Sequence, residues 1–145
     1  MKNLFLLFLL AFLMIGCKST RIGTTNNLQV RFLHDFTIPA ELEVGGTTVG
    51  GISGVDYHDG TYYLVSDHPG NPRLYKTEIS INGEKIDTVS FTEVIELETS
   101  DSALKEAHLD LEGILYDPDT QEFTLSSEGS IKKGKETMVL NVSKR

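Results

Sequence analysis

Ser53-Gly54-Val55-Asp56-Tyr57, followed after a turn by Tyr62-Tyr63-Leu64-Val65-Ser66-Asp67, is the stretch whose reading decides the fold. It recurs downstream as Glu112-Gly113-Ile114-Leu115-Tyr116 and then Phe123-Thr124-Leu125-Ser126-Ser127-Glu128. Glycine, apolar, aromatic and acidic positions coincide in order, although the second turn is two residues longer. A repeat of about 40 to 60 residues with several strands per unit is the signature of β-propeller blades.

Working outward, strand-like runs cover 28–32, 51–57, 61–66, 73–81, 88–97, 109–116, 122–127 and 136–142. Leu28-Gln29-Val30-Arg31-Phe32, for example, alternates apolar and polar with period two. Turn formers separate the runs: His58-Asp59-Gly60, Pro69-Gly70-Asn71-Pro72, Asn82-Gly83 and Asp117-Pro118-Asp119. Only 100–108 could form a helix, and a short one. The expected class is all-β, a β-propeller-type repeat with about two blades, from Gly51 to Leu97 and from Leu109 onward. The second unit lacks its last strand. Closed propellers need about four or more blades. The expectation is therefore a partial propeller, truncated from a longer protein and aggregation-prone by itself.

The chain opens differently. Lys2 precedes an apolar run from Leu4 to Ile15, closed by Gly16 and Cys17. A bilayer span takes about 20 apolar residues, so this run is too short for one and reads as an export signal. Leu13-Met14-Ile15-Gly16-Cys17 resembles the lipobox of bacterial lipoproteins. That resemblance implies cleavage before Cys17 and acylation of its thiol and new amino group. Several acyl chains give a lasting anchor where one does not. The expected organisation is a signal peptide over 1–16, a polar tether over 17–27 and the β domain over 28–145. Localisation would be the bacterial cell envelope, at the outer membrane, with the membrane itself a partner through Cys17.

With 13 Lys and Arg against 21 Asp and Glu, the formal charge is -8, and no basic block is present. Such a chain is a poor holder of phosphate backbones, which excludes nucleic acid as a partner. The single Cys leaves no disulfide framework.

Acids at strand ends carry the chemistry. In a regular strand His108, Asp110 and Glu112 would share one face, with the two carboxylates about 7 Å apart. Asp67 and Glu128 end equivalent hairpins. Four converging carboxylates repel unless a cation joins them, and hard oxygen donors suit Ca²⁺ or Mg²⁺. Asp67, Asp110, Glu112 and Glu128 are therefore the candidate metal ligands. The competing reading is that such acids accept backbone N–H bonds in adjoining turns. Arg73 and His108 are the candidate substrate-binding residues, Arg73 because its fork suits phosphate or carboxylate. The four histidines show no zinc spacing. Ser53 lacks a nucleophile elbow, and Ser66-Asp67-His68 is no triad because strand neighbours point to opposite faces.

Gly50-Gly51-Ile52-Ser53-Gly54-Val55-Asp56-Tyr57, Tyr63 to Asp67, Arg73-Leu74-Tyr75, Asp110-Leu111-Glu112-Gly113-Ile114 and Ser126 to Gly129 together resemble the phytase-like domain family, esterase-like activity of phytase. The resemblance runs from about Phe36 to Val142. It implies a β-propeller, export, and hydrolysis of phosphate or other esters with calcium as cofactor. In this sequence Asp67 is followed by His68-Pro69, where an Asp-Asp-Arg-like run is common. The alternative function is a non-catalytic envelope scaffold or ligand-binding lipoprotein.

Overall fold

Two tight turns show why the strands fall where they do. Asp59 and Gly60 both have positive φ, at 43° and 85°. That pair makes the two-residue loop between strands β3 (Ile52–His58) and β4 (Thr61–Ser66), because right-twisted hairpins favour left-handed loop residues. Gly83, at φ 64°, likewise turns β5 (Arg73–Asn82) into β6 (Lys85–Glu96). The computed structural model describes residues 28–98, 104 and 107–143. The expected leader, lipidation site and tether lie outside the described residues.

Strands β3-β4-β5-β6 form one antiparallel meander, here sheet I, in sequence order. Strands β7 (Leu111–Asp117), β8 (Glu122–Ser127) and β9 (Met138–Val142) form a second, three-stranded meander, sheet II. A small ribbon, β1 (Glu43–Val44) with β2 (Thr47–Thr48), precedes them. A single 3₁₀ turn, Ile131–Lys133, links β8 to β9. The described residues are thus all-β in three antiparallel sheets.

The repeat seen in the sequence is a repeat of register. Ile52 pairs with Ser66 and Gly54 with Val65, with a bulge between Ile52 and Gly54. Leu111 pairs with Ser127 and Gly113 with Ser126, with a bulge between Leu111 and Gly113. Beyond the bulges, Asp67 N–H donates to Gly51 O at 2.8 Å and Glu128 N–H to Asp110 O at 2.9 Å. The two hairpins are one design.

Sheet I packs on sheet II through Tyr63, Val65 and Leu74, which meet Leu109, Leu111, Phe123 and Leu125 in one buried cluster. Gly54 sits where β3 crosses β7. A Cβ there would stand 2.9 Å from Glu112 O and 3.2 Å from Gly113 Cα. Ser53 Oγ donates to Leu111 O at 2.6 Å, and Asp56 Oδ2 accepts the Tyr116 N–H at 2.6 Å. On the other face of sheet I, Leu64 and Tyr75 pack with Val49, joined by Ile38, Leu42 and Val44.

Two expectations are corrected, and one element was not foreseen. Leu28–Phe32 forms no strand, and the side chains of Leu28, Val30 and Phe32 are exposed; among the described residues no strand is laddered to it, and alternation alone does not make a sheet. The sequence reading missed the β1–β2 ribbon, because each strand is only two residues long. The start of β7 is Leu111 rather than Leu109. The helix expected over 100–108 falls mostly outside the described residues; within it, Ala107 N–H donates to Leu104 O at 3.1 Å.

Gly54→Ala pushes a methyl into backbone and should destabilise by about 1–3 kcal/mol. Gly50→Ala meets nothing within 4 Å and should be tolerated. Chemical denaturation of both variants checks the difference.

Candidate functional site

The bulged ends of the two hairpins, opposite their turns, carry the acids. At the first, Gly51 has φ 59°, and a Cβ there would collide with Asp67 Oδ1, so only glycine lets the Asp67 carboxylate lie over that backbone. At the second, the bulge falls on Glu112, with Asp110 just before the strand and Glu128 just after its partner.

The expected alternation of His108, Asp110 and Glu112 on one regular strand face is not what the backbone does. Asp110 N–H donates to His108 O at 3.0 Å, a tight turn ahead of the strand, and Glu112 occupies the bulge. Glu112 has its carboxyl raised above the ordinary glutamate range, first by partial loss of hydration, then by the charges of Glu128, Asp110 and Asp67 in that order. The other three candidate ligands, from both hairpins, thus act on Glu112. Among the described residues, however, no three His, Cys, Asp or Glu side chains are gathered closely enough to hold a metal ion. The donor chemistry fits a hard cation, which would relieve the repulsion, but the acids would have to draw in around it.

His108 is held from both sides. Its Nε2 lies 3.7 Å from Asp110 Oδ2, and its Nδ1 lies 3.4 Å from Lys133 Nζ. An ammonium only donates, so Nδ1 accepts from it and Nε2 carries the hydrogen facing Asp110. Lys133, on the 3₁₀ turn, was missed by the sequence reading. It follows Glu128 closely in the chain, but nothing in its spacing announced a return toward His108.

Arg73 is buried, 5% exposed. Its Nε donates to Tyr75 Oη at 2.5 Å, Nη1 to Asn71 O at 2.8 Å and Nη2 to Thr48 O at 3.1 Å. The fork ties β5 to the turn before it and to β2 of the small ribbon instead of standing free in solvent. It still lines a cavity of about 440 Å³ with Thr48, Gly51, Asp67, His68 and Asn71. Asp67 therefore belongs both to this cavity and to the group of acids. His68 accepts the Asn71 N–H at its Nδ1, while His58 lies against Tyr116, with ring centroids 5.5 Å apart.

An all-β protein of paired antiparallel meanders, with an acidic rim where equivalent hairpins end, is the class these features define. The family model Phytase-like, esterase-like activity of phytase, matches residues 47–145, and the chain belongs to that family. No curated protein and no solved structure matches the chain.

The proton balance of Glu112 has a measurable sign. Its folded-state affinity for protons exceeds the unfolded one, so the native state binds more protons in that window. Stability contributed by this group is present at low pH and lost as pH rises through the raised value. Asp117, at the far turn, acts in the opposite sense. Backbone N–H bonds from Asp119 and Thr120 lower its carboxyl, so its contribution is lost as pH falls. Glu112→Gln should therefore gain stability relative to the parent between about pH 4 and about pH 7, measured by denaturation at each pH. An unchanged difference across that range contradicts the carboxylate grouping.

Proposed function

We propose that the chain is a lipid-anchored envelope protein whose two meanders are blades of a propeller-type ring and whose acidic rim binds phosphoesters or other esters through a divalent cation. Membership of the phytase-like family supports the ester chemistry. The observation that carries the site is the matched geometry of two hairpin ends, where Asp67 and Glu128 follow equivalent strands and Asp110 and Glu112 stand at the second bulge. Calcium suits an all-oxygen set of this kind, and when bound it would neutralise an anionic substrate and polarise a water. Asp110 stands beside His108, with Oδ2 3.7 Å from Nε2, where a small shift would let the carboxylate orient the imidazole to hold or pass a proton at the rim. Lys133 adds a positive charge beside it. Arg73, already engaged by Tyr75 and two carbonyls, fixes one wall of the neighbouring cavity, and an anion entering there would share its remaining donors. The anchor is acylated Cys17, as the lipobox-like residues suggest.

A second reading, a non-catalytic binding or scaffold lipoprotein, is favoured by the engaged state of Arg73 and by the spread of the acids. Calcium titration by calorimetry, with an aryl-phosphate and an aryl-ester assay, separates the two. The hydrolase reading expects heat of binding in the parent, its loss in Asp110→Asn and Glu112→Gln, and turnover that falls at least tenfold in both. Binding without turnover leaves the scaffold reading, and neither sinks the cation site.

A further inference from the structure

The cavity of about 440 Å³ beside Arg73 is walled by residues 47–73, and no residue of sheet II lines it. What it offers a ligand is set within that one stretch of chain. Two unlike charges face it.

Arg73 is the positive one, buried at 5% exposure. A guanidinium carries five N–H donors, and three of them are spent on Tyr75 Oη, Asn71 O and Thr48 O. Two remain, one on each terminal nitrogen. All three acceptors are neutral, and among the described residues no carboxylate pairs with Arg73. A buried cation without an anion is costly, and the cavity is the side from which an anion reaches it.

Asp67, half-buried, is the negative one. Its backbone N–H donates to Gly51 O at 2.8 Å, and its Oδ1 lies over Gly51 where a Cβ would collide. The backbone thus sets its position. Among the described residues nothing donates a hydrogen bond to its carboxylate or pairs with it. Opposite charges on one cavity attract, yet these two do not meet, because Arg73 is tied down on β5 and Asp67 is fixed just past β4. Between them stands His68, whose Nδ1 accepts the Asn71 N–H at 3.1 Å. In the neutral ring Nε2 then carries the hydrogen and adds an uncharged donor.

We propose that this cavity binds a small zwitterion, a molecule carrying one carboxylate and one ammonium group. The carboxylate takes the two unspent N–H groups of Arg73, and the ammonium donates to Asp67. A simple anion gains Arg73 but meets repulsion from Asp67, and a simple cation meets the converse. Selection for both charges together follows from that opposition. This goes beyond the cation reading and does not rest on it, since binding here needs no metal.

The test is calorimetric titration of the full chain in detergent, with a chelator present to keep metal out of the measurement. Glycine, β-alanine and γ-aminobutyrate are the probes. Each is compared with the carboxylate that lacks its amino group and the amine that lacks its carboxylate. One zwitterion or more should bind about tenfold or more tightly than both of its singly charged relatives. Arg73 is a poor site to mutate, because its fork ties β5 to the ribbon, so Asp67→Asn decides. That variant should keep its circular dichroism and lose the preference, leaving zwitterion and matching carboxylate equal. Three results overturn the proposal: no heat with any probe, a singly charged relative that matches its zwitterion, or a preference that survives Asp67→Asn. Calcium titration of the same chain reads the acidic rim separately, so either idea can fail while the other stands.

Discussion

Ser53, Gly54 and Asp56 bring a strand of sheet I against the backbone of sheet II, and three different physical effects meet there. Gly54 removes the Cβ that would stand 2.9 Å from Glu112 O. Ser53 satisfies Leu111 O from across the interface. Asp56 accepts Tyr57 N–H with one oxygen and Tyr116 N–H with the other, so a single carboxylate serves both sheets. Without that contact each meander would bury one face incompletely, and small isolated sheets of this size are marginal in water. Packing of Val65, Leu74, Leu111 and Leu125 follows from the alignment the three residues impose.

The same contact determines where the acids stand. It aligns hairpins that share a bulge, and the bulges set Glu112 and the Asp67-facing Gly51 at corresponding ends. Partial loss of hydration, and then the charges of Glu128, Asp110 and Asp67, raise the proton affinity of Glu112. An acidic rim assembled across two sheets responds to any shift between them, which links stability of the junction to the spacing of the carboxylates. His108 and Lys133 meet on the sheet II side, while Arg73 stiffens the sheet I side through backbone carbonyls.

Much of this was legible from residue types. Period-two alternation and the Asp59-Gly60 and Asn82-Gly83 turns located β3 to β6 closely, because those turns need positive φ that few residues adopt. The hairpin repeat was visible as matched glycines, and it proved to be a match of register and bulge. What escaped was whatever depends on partners distant in sequence. Leu28–Phe32 alternates well, but among the described residues no strand is laddered to it. The bulge at Glu112 breaks an alternation that looked clean, since one extra residue leaves no mark in composition. Arg73 read as a free fork because the carbonyls that engage it belong to the turn at Asn71 and to Thr48 of the two-residue strand β2, 25 residues away. Asp56 read as an ordinary strand residue, although it carries the inter-sheet bond.

Hydrogen exchange at the Tyr116 amide tests the junction most directly, comparing the parent with Asp56→Ala. The account predicts that exchange at Tyr116 accelerates strongly, and that other sheet II amides follow, while the β4–β5 amides of sheet I stay protected. Unchanged protection at Tyr116 in Asp56→Ala would contradict it, and the two meanders would then owe their alignment to apolar contact alone.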